Sequence, residues 1–145
     1  MLRVTAVSRL MIRQSGRKRS SLMRHNHVGT IIVVDEVHEK RKPVGIVTDR
    51  DMVVEVIAPG LDPDAIRVGD IMVQDLVTVR ENDDLLDTVK LMRIRGVRRL
   101  PVVDAEGSLA GIISVDDLLE VLNEQMTDMV RTLGRERERE AQSRR

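Results

Sequence analysis

Apolar residues along the chain fall into two kinds of spacing. Ile31-Ile32-Val33-Val34 and Leu100-Pro101-Val102-Val103 are short continuous runs, the length of buried strands, and each ends on an aspartate, Asp35 or Asp104. Leu85, Leu86, Val89 and Met92 instead recur at helical spacing, after Asn82 or Asp83 as a cap and before Gly96 as a helix end. Asp104-Ala105-Glu106-Gly107 is turn chemistry, and Leu109 to Ile113 reads as the return strand of a hairpin. Ser114 can cap the next helix, with Asp116 and Asp117 in its first turn, where the macrodipole favours acids, and Leu118, Leu119, Val121 and Leu122 following.

The same order occurs twice. His27 to Asp35 parallels Gly96 to Asp104 at an offset of 69, and Leu22-Met23-Arg24 falls on Leu91-Met92-Arg93 at the same offset. Gly45 to Val53 falls on Gly111 to Leu119 at an offset of 66. The three extra residues lie in the polar run Glu36 to Pro43, where a loop tolerates insertion. Each copy reads helix, strand, turn, strand, helix, and Val77-Thr78-Val79 is a further short strand. The pattern divides the chain into a basic segment (1–21), a first repeat (22–60), a linker (61–69), a second repeat (70–125) and a charged helical tail (126–145).

Composition narrows the chemistry. The 145 residues contain no Cys, Phe, Tyr or Trp. Disulfides, thiolate nucleophiles and cysteine zinc sites are excluded, and so are the aromatic platforms of single-strand nucleic-acid binders. No apolar run reaches the ~18 residues of a membrane span. Net charge is zero but unevenly spread: residues 1–34 carry seven bases and no acid, 35–130 carry 11 bases and 21 acids, and 131–145 carry six Arg and three Glu. Basic ends suit either a partner-binding arm or plain solvated termini.

With these repeats the chain resembles a tandem pair of CBS (cystathionine-beta-synthase) domains, a Bateman module. The matching stretches are Val28 to Asp35 with Gly45 to Asp51, and Val97 to Asp104 with Gly111 to Asp117; Asp70-Ile71-Met72 with Val77-Thr78-Val79 looks like the family's second opening. The resemblance implies an α/β (α+β) fold of two β-α-β-β-α repeats about a pseudo-twofold axis, and dimerisation. It also implies a regulatory sensor without catalysis, binding AMP, ADP or ATP, with S-adenosylmethionine or NADH as alternatives. No other cofactor and no metal is implied. A regulated partner is expected, its identity unread. The alternative is an interaction adaptor with empty clefts.

The family's Ser/Thr-x-x-Asp signature is present as Thr48 to Asp51 and Ser114 to Asp117. Asp51 and Asp117 are assigned to ribose hydroxyls, Thr48 and Ser114 to phosphate oxygen beside a helix N-terminus. Arg50, Arg98 and Arg99 are assigned to phosphate charge, Ile46, Ile112, Val77 and Pro101 to the adenine walls, and Thr78 to a second-strand contact. The same signature also reads as an ordinary helix cap.

The first repeat departs from this pattern. Opposite Leu85, Leu86 and Val89 it has Gly16, Arg17 and Ser20, and no opening strand is recognisable before Leu22. Residues 1–20 are therefore expected to be mobile or to pack unlike 70–89 and to leave the cleft that relies on them weaker or empty, giving about one strong site per chain. The arginine-rich start also has the composition of a transit peptide, an alternative to a cytoplasmic chain. His25, His27 and His38 read as surface residues before metal ligands. Asp83-Asp84 and Asp116-Asp117 read as helix starts before acid–base pairs. Met126, Met129, Val130 and Leu133 suit core, dimer or partner packing. The closing-helix residues Met52, Val53, Val56, Leu118, Leu119 and Leu122 are expected to form a dimer face.

Overall fold

The computed structural model describes residues 9–11, 16–37 and 40–143. The elements run β1 (Arg9–Met11), α1 (Gly16–Asn26), β2 (Thr30–Val37), β3 (Lys40–Thr48) and α2 (Asp49–Met52), which continues as a π-helical turn over Val53–Ile57. After the linker come α3 (Val68–Ile71), β4 (Val79–Arg80), α4 (Leu85–Arg95), β5 (Arg99–Val103), β6 (Leu109–Ser114) and α5 (Val115–Ser143). Two three-stranded sheets result, ordered β1-β2-β3 and β4-β5-β6.

The offset of 69 read from the sequence governs the three-dimensional register. β1 pairs in parallel with β2 as Leu10 with Val33 and Met11 with Val34; β4 pairs with β5 as Val79 with Val102 and Arg80 with Val103. Both hairpins shift register at the same place, between Val33 and Val34 and between Val102 and Val103. α1 and α4 begin and end at equivalent residues. The opening strand and helix of the first repeat are thus in place, which corrects the expectation for residues 9–11 and 16–20. Residues 1–8 and 12–15 lie outside the described residues.

The physical reason lies in which face of the helix points inward. On α4 the buried residues are Met92 and Thr88, with Leu85 and Leu91 packed beside them, whereas Leu86 and Val89 are exposed. Thr88 is only 1% exposed and donates its hydroxyl to the Asp84 carbonyl at 2.9 Å, so a polar residue fills an inner position without a lost hydrogen bond. In the first repeat the equivalents of Leu91 and Met92 are Leu22 and Met23, and both pack in its core. Opposite the inner Leu85 and Thr88 the first repeat has Gly16 and Arg19, so the inner pair it keeps is Leu22 and Met23.

Each sheet carries its own core. Met23, Ile31, Val33, Val47, Met52, Val56 and Val68 form the first; Val79, Met92, Leu100, Val102, Ile113 and Leu118 form the second. The linker belongs to the first: Val68 is buried there, with Ile66, Ile71 and Met72 against it. Ile46 and Val73 exchange two backbone hydrogen bonds (3.3 and 3.0 Å), fastening the linker to β3. Pro101, in the middle strand of its sheet, leaves no ladder gap, because β4 pairs only with Val102 and Val103. The two hairpins meet at their tips, where Lys40 Nζ lies 2.8 Å from a Glu106 carboxylate oxygen.

The tail and the dimer stripe need correction. Residues 126–143 continue α5 without a break, and Met126, Met129, Val130 and Leu133 are exposed, so they are no part of the core. Met52, Val56 and Leu118, expected on a dimer face, are spent in the cores; Val53 and Leu119 are exposed and Leu122 is half-buried.

Candidate functional site

The two signature motifs fold alike. Thr48 ends β3 in extended conformation, and its backbone N–H and hydroxyl both donate to Asp51 Oδ2 (2.7 and 2.8 Å). The Asp51 N–H donates back to Thr48 Oγ1 at 3.2 Å. Ser114 and Asp117 repeat this arrangement with 2.8, 2.6 and 3.2 Å. Each is a capping box, satisfying backbone groups that a helix start leaves open. The consequence for the site is orientation. Each carboxylate is pinned by one oxygen to its own helix start, and each hydroxyl donates its proton to that carboxylate while accepting from the Asp N–H. A carboxylate has about four acceptor positions, and the box uses two.

Behind each motif lies a backbone stitch at equivalent places. Asp49 N–H donates to Gly29 O (3.0 Å), and Val115 N–H donates to Arg98 O (3.0 Å). The preceding helices also close alike: Val28 N–H reaches Met23 O and Val97 N–H reaches Met92 O, each at 3.0 Å. The turn residue between is Gly96 in one repeat (φ +65°) and His27 in the other (φ +52°). Glycine adopts this left-handed geometry freely; histidine does so at some cost.

The structure brings one set of these residues together. A cleft of about 240 Å³ is lined by His27, Val28, Gly29 and Thr30 from the first repeat and by Arg99, Ile112, Ser114 and Asp117 from the second. Four residues assigned from the sequence meet here: Arg99, Ile112, Ser114 and Asp117. Thr30 and Arg99 are equivalent positions, so the cleft sits at the junction of the repeats. Other assigned residues stand elsewhere. Thr78 is exposed just before β4, Val77 packs on the second core, and Pro101 is buried within β5. None of the three lines this cleft, and neither do Ile46, Thr48, Arg50 and Asp51, which belong to the other motif.

Residues 27–30 were not legible as site residues. Their signal was available in the repeat itself, because they are the positions equivalent to Gly96 through Arg99. Thr30 carries a second signal: its Oγ1 is buried and has no hydrogen-bond partner. Among the described residues no group of three or more His, Asp or Glu could hold a metal ion, and no helix is long and apolar enough to cross a membrane.

Comparison with known proteins agrees with this architecture. The CBS domain family matches residues 20–58 and 68–124, and the chain belongs to it. An uncharacterized protein of Methanopyrus kandleri, MK0525, is 42% identical over 99 residues, covering 68% of this chain and 49% of its own length. The CBS domain-containing protein YhcV of Bacillus subtilis is 35% identical over 114 residues, covering 79% of this chain and 77% of its own. The cytosolic domain of the Mg2+ channel MgtE, solved in complex with ATP, superposes with a TM-score of 0.66 at 30% identity, over 79% of this chain and 44% of that one. The chain thus spans about half the length of MK0525. It is a CBS module of the kind found in regulatory and signalling proteins, a tandem pair of repeats.

Proposed function

We propose that this CBS pair is a ligand-sensing module that binds an adenine nucleotide in the cleft of Ser114 and Asp117 and modulates a partner protein by its occupancy. The cleft's chemistry carries the reading. It combines a pinned carboxylate suited to a ribose diol, an aliphatic wall at Ile112 and Val28 for a base, and the Arg99 guanidinium for phosphate. The unpartnered Thr30 hydroxyl supports it, since an orphaned buried hydroxyl costs about 1–3 kcal/mol unless a ligand satisfies it. By the repeat relation, Gly96 to Arg99 stand to Thr48 and Asp51 as His27 to Thr30 stand to Ser114 and Asp117, so a second cleft of related composition is part of the proposal. In this reading the chain works in the cytoplasm as a homodimer. That the MgtE cytosolic domain, a structural neighbour, was solved in complex with ATP supports the reading.

Titration calorimetry with AMP, ADP, ATP, S-adenosylmethionine and NADH tests this. Asp117→Ala should weaken the nucleotide that binds by about 1.5–3 kcal/mol, roughly ten- to a hundredfold. Unchanged affinity in that variant overturns the assignment. A second reading, an adaptor with empty clefts, is favoured by one observation: both capping boxes are self-satisfied without a ligand. The absence of heat with every nucleotide would select it.

A further inference from the structure

We propose that Arg99 is shared by the two clefts at the junction of the repeats, so that an anion bound in one lowers the affinity of the other. The inference rests on the reading of these clefts as nucleotide sites and concerns how they act on each other. Strand register lays out the residues in a row. Thr30 pairs directly with Thr48, and Arg99 pairs directly with Ser114. Residues directly opposite in an antiparallel pair share one face of the sheet, with Cβ atoms about 4.5–5.5 Å apart. Thr30 and Arg99 therefore each stand beside a signature hydroxyl, and each of those hydroxyls is bonded to its own carboxylate, Asp51 or Asp117.

The middle of the row belongs to both halves. Thr30 and Arg99 are equivalent positions of the repeat, yet both line the Ser114–Asp117 cleft. The rotation that exchanges the repeats swaps Thr30 with Arg99 and carries this cleft onto that of Thr48 and Asp51. A pair that is merely swapped by the rotation lines the second cleft as it lines the first. Ligands in the two clefts thus meet the same two central side chains.

Their positions are equivalent and their charges are not. Thr30 offers one short hydroxyl, whose Oγ1 is buried without a hydrogen-bond partner. Arg99 is exposed and carries a permanent guanidinium on a long side chain, able to follow an anion to either side. The central pair therefore supplies one cation where a strict repeat of Arg99 would supply two. A ligand in the Ser114 cleft has the first claim on it, because Arg99 is in register with Ser114. The Thr48 cleft keeps Arg98, which stands where the other cleft has Gly29. Once Arg99 is engaged, a second anion loses a charge-assisted hydrogen bond and meets the charge of the first.

The experiment is calorimetry with AMP on the full chain, on its single-cleft variants Asp51→Asn and Asp117→Asn, and on all three again with Arg99→Thr. Asparagine leaves an oxygen for each helix cap, and threonine is what the first repeat already holds at the position equivalent to Arg99. Thermal melts establish that each variant is folded. Clefts that ignore each other give two stepwise association constants whose product equals that of the two single-cleft variants. In the unmodified chain the product should fall short by about fivefold or more, and with Arg99→Thr it should match. A match in the unmodified chain overturns the coupling and leaves the nucleotide reading standing. A shortfall of the same size with Arg99→Thr overturns it as well. If the unmodified chain takes a single AMP, each single-cleft variant should still take one, and a folded variant that takes none overturns the proposal. If AMP gives no heat, the same set is titrated with ATP. No heat with either means that the nucleotide reading fails and takes the coupling with it.

Discussion

At Gly45 a single added β-carbon decides whether the linker can lie on β3. It would stand 2.4 Å from Met72 Sδ, 2.8 Å from Cγ and 3.1 Å from Cβ. The thioether end could swing away, but Cβ is tied to a backbone whose next residue, Val73, is hydrogen-bonded to Ile46 on both sides. Gly45→Ala should therefore destabilise the fold by about 1–3 kcal/mol, the range of overpacking in a dense interior. Urea unfolding measures it, and an unchanged midpoint would show that the linker yields freely. Gly29 is milder, because its β-carbon would meet the Asp49 carboxylate at 3.0 Å and that side chain is exposed. Nothing in the sequence around either glycine marks this need. Their demand for a bare α-carbon comes from neighbours distant in the chain.

The two long elements of the second repeat show a different kind of information. α4 presents Leu86 and Val89 outward and α5 presents Leu119 outward (57% exposed); Val89 and Leu119, with Met92, Val97 and Leu122, line an apolar groove of about 350 Å³. Helical spacing alone gives the angular width of a stripe; it does not tell which edge of the stripe faces the core. In the first repeat the inner Leu22 and Met23 are kept. α5 makes a clean test of the same distinction. Its Val115 and Leu118 pack on the second core, whereas Met126, Met129, Val130 and Leu133 are exposed. Ending the chain after Gln125 should remove helical circular dichroism yet leave the urea midpoint within the ~0.5 kcal/mol expected of surface changes. A large loss of stability would mean that the distal turns are packed in solution.

At the scale of the whole molecule, the exposed groove between α4 and α5 is the surface expected to bury itself against a second copy. Light scattering should give twice the 16.4 kDa chain mass at micromolar concentration, and Leu119→Glu should return it to one chain while the far-ultraviolet spectrum stays the same. A monomer before substitution would remove the claim. Between the repeats, Lys40 and Glu106 join the hairpin tips. The hydrogen bond that the Lys40 ammonium donates to the Glu106 carboxylate, then that carboxylate's charge, raises Lys40 above its ordinary 10.5. A raised lysine contributes stability that is fully present below its unfolded value and is lost as pH rises through the folded one. The stability difference between the chain and its Glu106→Gln variant should hold below pH 10.5 and fade above it. Both groups are exposed, so the difference should be small and shrink in high salt. A difference that grows above pH 10.5 would contradict the pairing.

The sequence by itself determined the repeat, the alternation of helix and strand within it, and the pairing of Ser114 with Asp117 and Thr48 with Asp51, because these depend on neighbours a few residues apart. Its offset of 69 even carried the strand register. Tertiary structure alone decided three things. It made β1 a strand, since three residues at the edge of a sheet take their conformation from pairing with β2 and not from their own pattern. It turned Leu86 and Val89 outward and Thr88 inward, since packing chooses the face. It also set His27 through Thr30 opposite Asp117, across nearly ninety residues of chain, because a cleft between two repeats exists only once both have folded against each other.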